Sequence, residues 1–137
     1  MATVMAVMTV MMEWGAGNFS NDKAEETAAK TFCEDCFMVA DAAVTTTDIY
    51  KTYKGPSGII DWVKKIDAID FQNFTPTLIG TEGDKVYMKA TYKPKMKSNG
   101  KEMGEQSDVH EWTVKDGKIA SCHFYWGNQK DLNDLWA

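Results

Sequence analysis

The stretch Asp108–Asn128, DVHEWTVKDGKIASCHFYWGN, constrains the fold more than any other part of the chain. Two runs rich in β-branched and aromatic residues flank Asp116-Gly117, one of the strongest short hairpin signals. The stretch holds both histidines, Cys122, Trp112 and Trp126. Chemistry is expected here before anywhere else, and the turn decides which side chains share a face. A two-residue type I′ loop would pair Lys115 with Lys118 and set His110 opposite His123. A three-residue loop with a bulge at Gly117 would pair Val114 with Lys118. It would place His110 opposite Cys122, Asp108 opposite Phe124 and Trp112 opposite Ala120, with His123 on the other face.

The preceding strand favours the bulged closure. Val86, Met88, Ala90 and Tyr92 alternate with Tyr87, Lys89, Thr91 and Lys93, so one face is apolar. Asn99-Gly100 is a second hairpin signal. A bulged turn there sets Met88 opposite His110, Ala90 opposite Asp108 and Val86 opposite Trp112. A strict two-residue turn would bury Glu111 beside Met88, and an unpaired buried glutamate costs more. Both hairpins agree when His110 points inward and Glu111 and His123 point outward.

The rest of the chain supplies helices. Val4, Val7, Met8, Met11 and Met12 recur at helical spacing, with Met5, Val10 and Trp14 widening the stripe. This predicts a nearly buried first helix ending at Gly15-Ala16-Gly17, a core element or a pocket wall. Ser20 or Asn21 can cap a second helix running to about Phe32. Phe37-Met38-Val39 reads as a short strand. Pro56 suits the start of a third helix, with Ile59, Ile60, Trp62, Val63 and Ile66 on its apolar side. From Phe71 the period changes to two, and Glu82-Gly83-Asp84 turns the chain. The tail carries Leu132, Leu135 and Trp136, which are expected to cap the fold.

Composition bounds the function. The chain has 137 residues, 44% hydrophobic and 26% charged, with a formal charge of −5, which predicts one globular domain over 1–137. No basic stripe suits nucleic acid; Lys93, Lys95, Lys97 and Lys101 read as a guarded strand face. The opening apolar run lacks the basic start and cleavage site of a signal peptide, and no stretch reaches a membrane span, so a cytoplasmic protein is expected. Cys33-Glu34-Asp35-Cys36 has CxxC spacing without a redox or zinc context, so buried thiols are expected. No metal and no cofactor are expected.

Helices followed by a meander of long strands predict an α+β fold, three N-terminal helices on one face of a strongly curved antiparallel sheet. Three segments take this further: Tyr53-Lys54-Gly55-Pro56-Ser57-Gly58-Ile59-Ile60, Glu82-Gly83-Asp84-Lys85-Val86 and Trp112-Thr113-Val114-Lys115-Asp116-Gly117-Lys118-Ile119. Their order and spacing resemble the SnoaL-like polyketide cyclase and ketosteroid isomerase group, within the nuclear-transport-factor-like, cystatin-like superfamily. The resemblance implies a cone with an internal pocket and a homodimer through the outer sheet face. It places the cyclase histidine at His110 and the cyclase aspartate position on Phe124, so that partner is missing. The isomerase tyrosine position falls near Val10, and its general-base aspartate near Asp41.

The functional reading is a pocket lined by Trp14, Trp62, Tyr92, Trp112, Phe124 and Trp126, suited to a flat hydrophobic small molecule. Met88 and Cys122 lie across the sheet from His110. His110 would shuttle a proton. Asp108, about 7 Å away along the strand, would orient it, and Asp41 is the other carboxylate. Tyr50 and Tyr53 would donate to an oxyanion. The expected chemistry is proton transfer next to a carbonyl, by a cofactor-independent isomerase or lyase. The alternative is a non-catalytic ligand-binding or dimerisation module. Val109, Ile119, His123 and Tyr125 would form its outward face.

Overall fold

The computed structural model describes residues 2–15 and 22–137, leaving aside the side chains of residues 2, 3, 13–15, 22–24 and 27. Its architecture is mixed α+β, with a six-stranded sheet and, among the described residues, four helices. Helices α1 (Ala2–Gly15) and α2 (Asp22–Thr31) come first, then β1 (Phe32–Val39) and the short β2 (Thr52–Lys54). Helix α3 (Gly55–Ile66) precedes the meander β3 (Ile69–Glu82), β4 (Lys85–Met96), β5 (Gln106–Lys115) and β6 (Lys118–Tyr125), and α4 (Gln129–Leu135) closes the chain.

The sheet runs β2-β1-β6-β5-β4-β3. The expectation of an antiparallel sheet needs correction, because β1 pairs with β6 in parallel. Hairpin signals report neighbours in sequence, whereas this pair joins segments separated by most of the chain. Strand β1 is also longer than expected. It takes in the CxxC segment, with a register shift between Phe32 and Phe37. Cys36 is buried and Cys33 half-buried, and both are free thiols. Burial, then the neighbouring Cys33 and Asp35, push the Cys36 thiol up to about 11, the opposite of a reactive cysteine.

Helix α1 lies against β3, β4, β5 and β6. Val7, Val10 and Met11, one helical face, are fully buried. Met5 and Met12 sit on the opposite side and are exposed, so the helix is one-sided rather than nearly buried. The proposed caps Ser20 and Asn21 and the stop at Ala16-Gly17 lie outside the described residues. Pro56 stands in the first turn of α3, whose Ile59, Trp62, Val63 and Ile66 are buried. No helix among the described residues is long and apolar enough to cross a membrane.

The two hairpins set the site. Strand β4 pairs with β5 in the expected register: Met88 with His110, Ala90 with Asp108 and Val86 with Trp112. The last hairpin differs from the preferred closure. Asp116 and Gly117 both have positive φ, 52° and 79°, and Lys115 pairs with Lys118, so the turn is the two-residue type I′ form. A bulge between Val114–Ile119 and Thr113–Ser121 then adds one residue on β6. His110 therefore stands opposite Phe124, Trp112 opposite Cys122 and Glu111 opposite His123. Beyond the bulge the pairing is two residues from the preferred one, so from Ser121 onward each side chain keeps its expected face. Before the bulge the faces exchange: Lys118 pairs with Lys115 and is exposed, and Ile119 turns inward, where it is fully buried.

Candidate functional site

The in-facing positions of β5 carry an unusual run. Gln106, Asp108, His110, Trp112 and Val114 are all buried, three of them polar. Buried polar groups need partners, and Asp108 and His110 meet that need in opposite ways.

The Asp108 carboxylate is fully enclosed and accepts three hydrogen bonds. Its Oδ1 receives Gln106 Nε2 at 3.0 Å and the Gly127 backbone N–H at 2.9 Å. Its Oδ2 receives the Tyr92 hydroxyl. Burial nevertheless outweighs these donors and pushes the carboxyl up to about 6. Burial and the Asp108 charge hold the Tyr92 hydroxyl well above its ordinary range.

His110 has no such shell. It is 5% exposed, and neither Nδ1 nor Nε2 has a hydrogen-bond partner. Its ring meets Phe124 edge-on at 4.4 Å, and Trp112 lies 6.1 Å away. Burial pushes its pKa down to about 3, so the imidazole is neutral across the physiological range.

Both residues border a cavity of about 40 Å³. Met11 of α1, Trp62 and Ile66 of α3, Phe71 and Phe74 of β3, Tyr92 of β4, and Phe124 and Trp126 line the remainder. Trp62, Phe124 and Trp126 form a stacked wall, with Phe124 5.8 Å from Trp62 and 5.0 Å from Trp126. One water needs roughly 10–15 Å³, and sites that enclose drug-sized molecules run to about 300–1,000 Å³. The cavity as formed therefore admits a few atoms. A larger guest requires Met11 and its neighbours to give way, and methionine adapts readily.

Of the residues expected at the site, His110, Asp108, Tyr92, Trp62, Phe124 and Trp126 meet around this cavity. Met88, Trp112 and Cys122 are fully buried nearby but do not line it. Asp41 is exposed and accepts from Thr52 Oγ1 at 2.8 Å, away from the cavity. Tyr50 and Tyr53 are buried and do not line it. Trp136 Nε1 donates to the Tyr50 oxygen at 2.8 Å, and Tyr53 donates to the Ile49 carbonyl at 2.7 Å. The side chain of Trp14 lies outside the described residues. Among the described residues no cluster of His, Cys, Asp or Glu could hold a metal ion.

Met11 belongs to the helix stripe expected to be core or pocket wall, and it lines the cavity. Sequence reasoning missed Ile66, Phe71 and Phe74 as lining residues and Gln106 and Gly127 as partners of Asp108. Gln106 carried a legible signal, being the next in-facing position before Asp108 on an alternating strand. Gly127, just after β6, could also have suggested a close backbone approach.

No protein-family model and no curated protein matches the sequence. Solved structures do match in fold. An NTF2-like protein from Burkholderia xenovorans aligns with 99% of this chain and 96% of its own, at 16% identity and TM-score 0.77. TerC, co-crystallised with polyporic acid, aligns over 99% and 98% of the two chains at 17% identity and TM-score 0.78. A candidate SnoaL-like polyketide cyclase from Jannaschia aligns over 99% and 92% at 14% identity and TM-score 0.74. A protein with a ketosteroid isomerase-like fold is also among the neighbours. The chain thus has the α+β fold shared by NTF2-like, SnoaL-like and ketosteroid isomerase-like proteins.

Proposed function

We propose that the protein binds a small, uncharged, hydrophobic carbonyl compound and moves a proton next to its carbonyl group, as an isomerase, cyclase or dehydratase does. The observation that carries this reading is His110. A fully enclosed imidazole with two unpartnered nitrogens costs stability, and a ligand offering one donor and one acceptor would recover it.

In this reading the curved sheet, α1 and α3 wall a cone, and the ligand enters beside Met11. His110 takes the α-proton; the electron pair of the breaking C–H bond moves onto the carbonyl oxygen as an enolate. The enolate's charge favours the imidazolium so formed, which returns the proton to another atom of the substrate. With Asp108 protonated, its carboxyl proton engages the Tyr92 oxygen and frees the Tyr92 O–H to donate to the enolate oxygen. Asp41, Tyr50 and Tyr53 have no part in this scheme. The co-crystallisation of TerC with polyporic acid supports small-molecule binding on this fold.

The test is exchange of α-protons into D₂O, followed by NMR, for a panel of aromatic ketones and steroid-like enones, with thermal shift as the binding readout. Exchange by the wild type that His110→Ala abolishes supports the reading. Equal exchange by both proteins removes His110 from the chemistry.

The small cavity favours a second reading, a ligand-binding module without turnover, which binding without exchange would support. In either case we propose a homodimer through the outer sheet face. Phe37, Val109 and Tyr125 are exposed there, and His123 stacks on Tyr125 at 4.7 Å. Sedimentation equilibrium of Tyr125→Lys against the wild type tests it; unchanged mass would remove that face.

A further inference from the structure

We propose that Gln106 is a positioning residue, a two-ended clamp that fixes the Asp108 carboxyl group and confines its proton to the oxygen shared with Tyr92. The proposal rests on the proton-transfer reading above and adds a residue to it. Gln106 is 1% exposed, and both ends of its amide are used. Nε2 donates to Asp108 Oδ1 at 3.0 Å, and Oε1 accepts the Asn128 backbone N–H at 3.1 Å. A backbone N–H can only donate, so the amide has one workable orientation. Turned over, its NH₂ would face the Asn128 N–H and its oxygen would face the carboxylate.

The corner after β6 completes the clamp. The Gly127 N–H reaches the same Oδ1 at 2.9 Å. A Cβ at Gly127 would lie 2.3 Å from the Ser107 backbone oxygen, so only glycine permits this approach. Oδ1 therefore faces two N–H groups that cannot accept a proton. Oδ2 faces the Tyr92 hydroxyl, which can donate or accept. A proton arriving on Asp108 settles on Oδ2 and turns the Tyr92 O–H away, towards the cavity that Tyr92 lines. Gln106, together with the Gly127 N–H, thus leaves Oδ2 as the oxygen that takes part, without touching the ligand. The titratable groups around Asp108 are Tyr92 on β4, His110 on β5 and Tyr50 ahead of β2.

The experiment is ¹³C NMR titration of the Asp108 carboxyl in the wild type and in Gln106→Met, an apolar side chain of similar length. Loss of one donor to the carboxylate should raise the midpoint by about one unit, with the backbone amide spectrum of β4, β5 and β6 retained. An unmoved midpoint with a native spectrum would overturn the proposal. If Gln106→Met does not fold, the wild type answers through the Gln106 side-chain NH₂ signals. These should exchange slowly and shift with the Asp108 midpoint; fast, pH-independent signals would overturn the clamp. Both readouts are independent of turnover. A chain that exchanges no ketone α-protons yet shows these shifts would end the reaction reading alone.

Discussion

Two neighbouring positions on one strand face treat burial in opposite ways. At Asp108 three donors converge on a carboxylate, and the corner after β6 is bent to supply one of them. At His110, the next in-facing position, aromatic rings surround an imidazole that no protein group hydrogen-bonds. A buried polar group completed by its own fold is a structural fixture. One left incomplete costs stability, and in the proposed reading a ligand completes it. One end of the cavity is thus saturated with hydrogen bonds, and the other has none from the protein.

The largest effect should come from emptying the saturated end. Asp108→Ala leaves the Tyr92 hydroxyl, the Gln106 amide and the Gly127 N–H without their shared acceptor. A loss of about 3–5 kcal/mol is expected in urea unfolding. A loss below about 1 kcal/mol would mean that water replaces the carboxylate easily.

The pH dependence should separate the two ends next. His110 is neutral when folded down to about 3, against an ordinary value of 6.5. Between these values the unfolded chain binds the extra proton, so this group makes stability rise with pH. Asp108 titrates near 6 when folded, against an ordinary 3.8, so the folded chain binds the extra proton there and stability falls as pH rises through 6. Between 3.8 and 6 the two contributions oppose each other and largely cancel. His110→Phe should expose the Asp108 term, a decline of up to about 3 kcal/mol across that window. Asp108→Asn should tilt the curve the other way. Parallel curves for both variants would show that neither group titrates as its surroundings imply.

At neutral pH, His110→Phe should stabilise the fold by about 1–2 kcal/mol, because an unsatisfied group leaves the core, while ligand binding is lost. A destabilised variant would mean that the imidazole is satisfied after all. The smallest effect belongs to the CxxC pair. Cys33→Ser should change stability by less than about 0.5 kcal/mol and leave any activity intact, since Cys33 is half-buried and unbonded on a strand far from this chemistry.

The contrast between the two ends was partly legible in the sequence. The inward face of His110 came out right although the turn did not. A bulged three-residue turn and a type I′ turn followed by a bulge differ by two residues in pairing, and a shift of two preserves the face. The alternation of Val86 to Tyr92 set the β4 partner for the same reason. Periodicity could not show that Tyr53 donates its hydroxyl proton to the Ile49 carbonyl, that the Tyr50 oxygen accepts from Trp136, or that Asp41 faces out to Thr52. The first and last depend on the local path of the loop before β2, and the second on where the end of α4 docks. The parallel β1–β6 pair and the reach of Gly127 to Asp108 are likewise products of tertiary approach. How α1 seats Met11 against the cavity is also something helical spacing alone leaves open.

In the proposed reading the His110 imidazole is neutral and free of protein partners, so that a ligand can bond it. ¹⁵N NMR of the labelled imidazole, followed from pH 4 to pH 8, tests it directly. Both ring nitrogens should keep neutral shifts throughout that range, and one should move when a ketone that stabilises the protein is added. A ring that gains its proton near the ordinary 6.5, and whose signals ignore every such ketone, would contradict it.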